Sequence, residues 1–266
     1  MPPTSDIEIL SQLIDDENGY YRLRAKRRVH YLSISADTFD DDTMCRPYLL
    51  IPRLPDLPDP PWTTMDISRD ENGSLISKIS TDPLPGIEQI WHNTHIDVLS
   101  LEKTRRFNSG VYEVQYDGAP AIAKIACFQW DIARIEHETW AYSIIACYHS
   151  QHPNERPFAP KFLGHLTENG RVFGFLLQKV DGEPAGIDDL AECEALLRRL
   201  YRLELIHGDV NRHNFLVDRV SGSDVPVCLI DFEHVAPFDQ DLARAELLSL
   251  PAELAEETGR GATVWL

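Results

Sequence analysis

The chain has 266 residues and a mass of 30.3 kDa, enough for one large domain or two small lobes. Its composition, 43% hydrophobic, 9% aromatic and 26% charged, lacks the low hydrophobicity of chains that stay disordered. Acidic residues outnumber basic ones by 43 to 25, a net charge of −18, and the excess is spread: 16 acids face 9 bases in residues 1–95, and 27 face 16 in residues 96–266. Such a surface repels a phosphate backbone, so nucleic-acid binding is not expected. The five cysteines, Cys45, Cys127, Cys147, Cys193 and Cys228, form no C-x-x-C pair, which argues against a disulfide framework or a zinc site and for a reduced compartment. No apolar run approaches the roughly 18 residues of a membrane span, and Met1–Asp6 has no signal-peptide character. A soluble, cytoplasmic chain that does not act at a membrane is expected, and its oligomeric state is left open.

In chain order, Ser5 is placed to cap a short helix with Ile7, Leu10, Leu13 and Ile14 on one face, ending near Asn18-Gly19. The one basic cluster, Arg22, Arg24, Lys26, Arg27 and Arg28, reads as a solvated strand edge. Val29–Ile34 and Tyr48–Ile51 have strand composition, and the prolines at 52, 55, 58, 60 and 61 make the next segment an extended connector. From about residue 96 strands follow one another: Ile96–Leu101, Gly110–Gln115, a turn at Tyr116-Asp117-Gly118, and Ala121–Cys127. A helix is predicted over Trp130–His149, strands over Lys161–Leu166 and Arg171–Val180 around a Glu168-Asn169-Gly170 turn, and a helix over Ile187–Leu203. Asp239–Glu257 reads as a last helix, with a Gly259-Arg260-Gly261 tail. Strands first and helices later predict an α+β protein.

The chemistry concentrates in His207-Gly208-Asp209-Val210-Asn211-Arg212-His213-Asn214, followed by Ile230-Asp231-Phe232-Glu233 at the end of an apolar strand. Phosphoryl transfer needs a carboxylate that orients or deprotonates the incoming hydroxyl, and separate oxygen ligands for the Mg²⁺ that neutralises the phosphates. Asp209 suits the first task; Asn214 and Asp231 suit the second. Upstream, Ala121-Ile122-Ala123-Lys124-Ile125-Ala126 places one cation inside an apolar strand. On the helix that follows, Ile132, Ile135, Tyr142, Ile145 and Ala146 define the inward face; Glu138 falls about 50° from its centre and Glu136 about 110° away. Glu138 is therefore the expected partner of Lys124.

This set resembles the H-x-D-x-x-x-x-N … D-F-x arrangement of the protein-kinase-like superfamily, with Ala121–Ala126 similar to its V-A-I-K strand. His207-Gly208-Asp209 in place of H-R-D and Asp231-Phe232-Glu233 in place of D-F-G resemble the aminoglycoside phosphotransferase and choline kinase branch; small RIO-like kinases are next nearest. The resemblance covers about residues 100–240. It implies a two-lobed protein-kinase-like fold with lobes over residues 96–180 and 181–266, the second truncated because 35 residues follow Asp231. Residues 1–95 are then a β-containing extension packed on the kinase body.

The resemblance further implies ATP and Mg²⁺ as cofactors, Lys124 and Glu138 at the phosphates, and Gly110 in the phosphate-covering loop Arg105–Tyr112, which has one glycine where protein kinases have three. Gln178 and Val180 are placed in the linker that holds the adenine edge, and Asp209, Asn214 and Asp231 at the reaction. Neither the arginine of H-R-D nor the glycine of D-F-G is present, so regulation by loop phosphorylation is not expected. Asp181, Glu183, Asp188 and Asp189 suit either a cationic acceptor or a solvated acidic face. Three readings follow: a phosphotransferase acting on a hydroxyl of a small molecule, a pseudokinase or nucleotide-binding module, and a small atypical protein kinase.

Overall fold

The structure, a computed structural model, describes residues 7–59, 61–219, 227–259 and 261; the expected cap Ser5, with Pro60 and Arg260, lies outside them. The chain divides into two compact units, and its secondary structure is mixed α+β.

One unit takes the described residues up to Gly86 together with Cys127–Gln129 and Glu168–Arg171. Its strands β1 (Ile7–Ile14), β2 (Asn18–Ala25), β3 (Arg28–Ser35), β4 (Thr64–Arg69) and β5 (Leu75–Ser80) form one sheet in that order, antiparallel except for β3 beside β4. Two short helices, α1 (Asp41–Cys45) and α2 (Pro47–Leu50), lie between β3 and β4. Tyr21, Leu23, Leu32, Ile34, Met44, Leu50, Trp62, Met65 and Ile67 make its core.

Three expectations are corrected in this unit. Ile7–Ile14 is a strand, not a helix: a register shift between Ile9 and Ser11 breaks the period-2 alternation, which left a spacing that imitates a helical face. Tyr48–Ile51 is helical, because Pro47 occupies the first helical position and its fixed φ favours the turn. Arg22 lies on no solvated edge; β2 is flanked by β1 and β3, and the Arg22 side chain is buried against Glu168.

The other unit takes Ile87–Ala126, Trp130–Thr167 and the described residues from Val172 on. Strands β6 (His95–Asp97), β7 (Glu102–Arg106), β8 (Val111–Tyr116), β9 (Ala119–Ile125), β10 (Phe162–Glu168) and β11 (Arg171–Gln178) form a sheet of order β6-β10-β11-β9-β8-β7. Both hairpin turns use left-handed residues, Asp117 with Gly118 and Asn169 with Gly170, whose positive φ values match the twist of the strands. Helix α3 (Ile132–Gln151) buries Ile135, Glu138, Tyr142 and Ile145 on one face.

After β11 come β12 (Glu183–Pro184), α4 (Leu190–Tyr201), β13 (Leu205–Ile206), β14 (Phe215–Val217), β15 (Val227–Leu229), β16 (Ala236–Pro237) and α5 (Gln240–Leu254). β14 pairs with β12 and β15, and β13 with β16, so the 207–214 loop and the 230–235 segment are anchored by strands at both ends. The expected strand over Ile96–Leu101 ends at Asp97, whose carboxylate accepts the Leu99 N–H and starts a 3-10 turn. β7 went unpredicted because all five of its residues are exposed and polar.

Candidate active site

β9 alternates its side chains, which leaves Lys124 as the one ionisable group between Ala123 and Ile125, both buried. Its Nζ donates to both Glu138 oxygens at 2.8 Å and to Asp231 Oδ1 at 2.6 Å. Glu138, and not Glu136, faces the lysine. Glu136 instead accepts from the backbone N–H groups of Glu88 and Gln89.

The two carboxylates sharing Lys124 differ in character. Burial pushes the fully buried Glu138 up, Lys124 pulls it back and Asp231 pushes it up again, for a net rise. Burial also pushes Asp231 up, but Lys124 outweighs it, and the Asp231 carboxyl sits below its ordinary value. For Lys124 burial acts downward and is outweighed by Glu138 and Asp231, so the ammonium is held protonated.

The catalytic-loop candidates are fixed by a dense set of bonds. Asn214 Nδ2 donates to the Asp209 carbonyl at 2.9 Å and to Asp209 Oδ2 at 3.1 Å; Asn211 Nδ2 reaches the same carboxylate at 3.2 Å. Among the described residues no hydrogen bond engages Asn214 Oδ1, which leaves that oxygen as an acceptor for a hard cation. His207 is buried and its pKa lies below the ordinary value because burial disfavours the imidazolium. The neutral ring bonds through Nε2 to Ile230 O at 3.0 Å.

Gly208 stands at the position that the resemblance gives to the arginine of H-R-D. Its φ is +78°, and a Cβ there would stand 2.1 Å from the His234 carbonyl oxygen, so no side chain fits. Glu246 of α5 braces the same loop, accepting the Gly208 N–H at 2.6 Å and the Tyr201 hydroxyl at 2.9 Å. Asp231 also has positive φ, +66°, held by the pairing with Lys124 and by Phe232, whose buried ring packs edge-on against Tyr142.

A cleft of about 460 Å³ brings together Lys124, Asn214, Asp231, Glu233, Gln178 and Val180. Arg105, Phe107, Asn108 and Val111 line it from the single-glycine loop, whereas Gly110 does not line it. Gly110 serves the loop structurally: a Cβ there would stand 2.7 Å from Ile125 O. Glu138 lies behind Lys124, and Asp209 is joined to the cleft through Asn214. Of the acidic residues downstream, Asp189 is engaged by Arg219 at 2.7 Å and by the Gly186 N–H. Reasoning from sequence missed Glu246 and the Arg134–Glu233 ion pair; the only signal for the latter is that Arg134 sits one helical turn before Glu138.

The sequence model of the lipopolysaccharide kinase (Kdo/WaaP) family matches residues 186–246, which hold the loop and Asp231 but are 61 of the 266 residues. Family match and Lys124–Glu138–Asp231 geometry together support the protein-kinase-like superfamily. Solved structures similar to the chain include the BubR1 kinase domain, with 17% identity, a TM-score of 0.44, and coverage of 69% of this chain and 73% of that one. A second is the Cydia pomonella granulovirus kinase PK-1, with 12% identity, a TM-score of 0.42, and coverage of 63% and 73% respectively. No curated protein matches the chain. No helix among the described residues is long and apolar enough to cross a membrane.

Proposed function

We propose that the protein is an ATP- and Mg²⁺-dependent phosphotransferase that phosphorylates a hydroxyl of a small molecule. The observation that carries this reading is that Lys124, backed by Glu138, meets Asp231, 107 positions away, in one cleft that Asn214 also lines.

The donor set fits a magnesium-bound nucleotide: one carboxylate held ionised and one uncommitted amide oxygen, with few protein ligands, as Mg²⁺ prefers. Asp231 and Asn214 would hold the metal, which supplies charge neutralisation at the phosphates. Lys124, kept protonated and held by Glu138, offers its N–H groups to phosphate oxygens. Gln178, Lys179 and Val180 line the cleft where a purine edge would seat. Asp209, its carboxylate oriented by Asn211 and Asn214, accepts the acceptor's hydroxyl proton. Catalysis in this reading is positioning and electrostatics on preorganised groups.

A screen of ATP consumption against small-molecule and protein acceptors, with Asp209→Ala as control, tests the proposal. Turnover with a small hydroxylated acceptor that disappears in Asp209→Ala supports it. Turnover only with proteins would reassign the acceptor to a protein, and nucleotide binding without turnover would mark the site as a pseudokinase.

A further inference from the structure

We propose that Arg134 is a positioning residue: its ion pair with Glu233 latches α3 to the Asp231-Phe232-Glu233 segment and so keeps Glu138 on Lys124 without any phosphorylated residue. The inference rests on the phosphotransferase reading for its purpose, though not for its geometry.

Arg134 Nη1 lies 2.6 Å from Glu233 Oε2. One turn further along α3, Glu138 Oε1 accepts the Phe232 N–H at 3.2 Å. The helix therefore grips three consecutive residues at two levels, through Arg134 on Glu233 and through Glu138 on Phe232, while Glu138 shares Lys124 with Asp231. Residues four apart lie on one helical face, so a single orientation of α3 satisfies both grips.

The charge balance gives the latch its second role. Oxygens of Glu138, Asp231 and Glu233 lie within 4.8 Å of one another, three carboxylates confronted by two cations, Lys124 and Arg134. Asp131, 3.8 Å from Arg134, is a further anion, and His234 Nε2 lies 3.4 Å from Glu233 Oε1. Loss of Arg134 leaves three carboxylates facing one ammonium and drives the 231–233 segment away from α3. Glu233 thus supplies in the chain itself an anion for α3 to grip, in a protein that has Gly208 between His207 and Asp209 where H-R-D has an arginine.

Arg134→Ala, Arg134→Lys, Glu233→Gln and the exchange Arg134→Glu/Glu233→Arg test the latch in the full-length protein. Hydrogen exchange of the Phe232 amide, followed without nucleotide, reads it directly; calorimetry with Mg-ATP reads the latch together with the cleft that Arg134 and Glu233 both line. Arg134→Ala and Glu233→Gln are expected to speed Phe232 exchange, and to weaken Mg-ATP binding, each on the order of tenfold. Arg134→Lys recovers part of both effects, and the exchanged pair recovers most. Glu233→Gln is nearly isosteric, which separates a lost charge from a lost fold. Unchanged Phe232 exchange in both single variants, or an exchanged pair no better than either, overturns the latch. If the wild type shows the protected amide but binds no Mg-ATP, the latch stands and the nucleotide reading falls.

Discussion

Lys124 and Asp231, 107 positions apart, meet at 2.6 Å, and the ammonium that joins them is the same one that satisfies buried Glu138. Removing the cation strands two carboxylates, one of them fully buried. Lys124→Met is expected to lower stability by about 3–5 kcal/mol at neutral pH, the usual cost of leaving one partner of a buried pair unpaired. Burial already raises the Glu138 pKa, so without Lys124 the folded state favours the neutral acid. The deficit should then shrink as the pH is lowered toward the ordinary carboxylate range. Chemical denaturation at several pH values measures both effects.

His165 gives a pH dependence that does not involve the cleft. Its Nε2 accepts the N–H groups of both Trp91 and His92 at 3.2 Å, and burial, aided by His95 and His92, lowers its pKa to about 4. Protonation would turn that acceptor into a donor facing two donors. The unfolded state takes up a proton near the ordinary value of 6.5 and the folded state only near 4, so stability falls as the pH drops through that window. The wild type should lose at most about 3 kcal/mol more than His165→Gln, which keeps an acceptor that does not titrate. Equal slopes for the two proteins would show that His165 is protonated in the native state.

Glu246 is the brace whose removal separates loop order from nucleotide binding. Glu246→Gln loses the charge-assisted bond from the Gly208 N–H at 2.6 Å and weakens that from Tyr201, at a cost of about 1–3 kcal/mol. Because Glu246 touches the Asp209 loop and does not line the cleft, kcat is expected to fall on the order of tenfold with nearly unchanged Mg-ATP affinity. An equal loss in both would place Glu246 in the general stability of the unit.

Within the five-stranded unit lies an ionic cluster. Buried Glu168 accepts from Arg22 Nε at 2.7 Å, from the Tyr31 hydroxyl at 2.6 Å and from Arg171 at 3.2 Å. Arg22→Met is expected to cost about 3–5 kcal/mol by leaving the buried carboxylate short of charge, whereas Arg22→Met/Glu168→Gln should recover part of that loss. Thermal melts of the three proteins measure this coupling.

The legibility of the sequence followed the range of the interactions. The Asp209, Asn214 and Asp231 spacing stood out as a resemblance carried by a short window, and the structure brings Asn214 and Asp231 to one cleft; helical phase chose Glu138 over Glu136 as the partner of Lys124. Glu168, by contrast, is 146 positions from Arg22, so a buried ion pair looked like surface charge. Around Ile9 and Ser11 a single extra residue disguised a strand as a helix, and at Tyr48–Ile51 four apolar residues carried no period to read. Gly208 could be recognised as a departure from H-R-D, but its cause, the His234 carbonyl at its back, lies in the tertiary structure.

The most direct test is a calorimetric titration of ATP into the wild type and Asp231→Asn, each with Mg²⁺ and with EDTA. If Lys124, Asn214 and Asp231 form a magnesium–nucleotide site, the wild type binds one ATP per chain, EDTA weakens that binding by at least about tenfold, and Asp231→Asn binds weakly with or without the metal. ATP binding of equal strength in all four titrations, or no binding in any, contradicts the account.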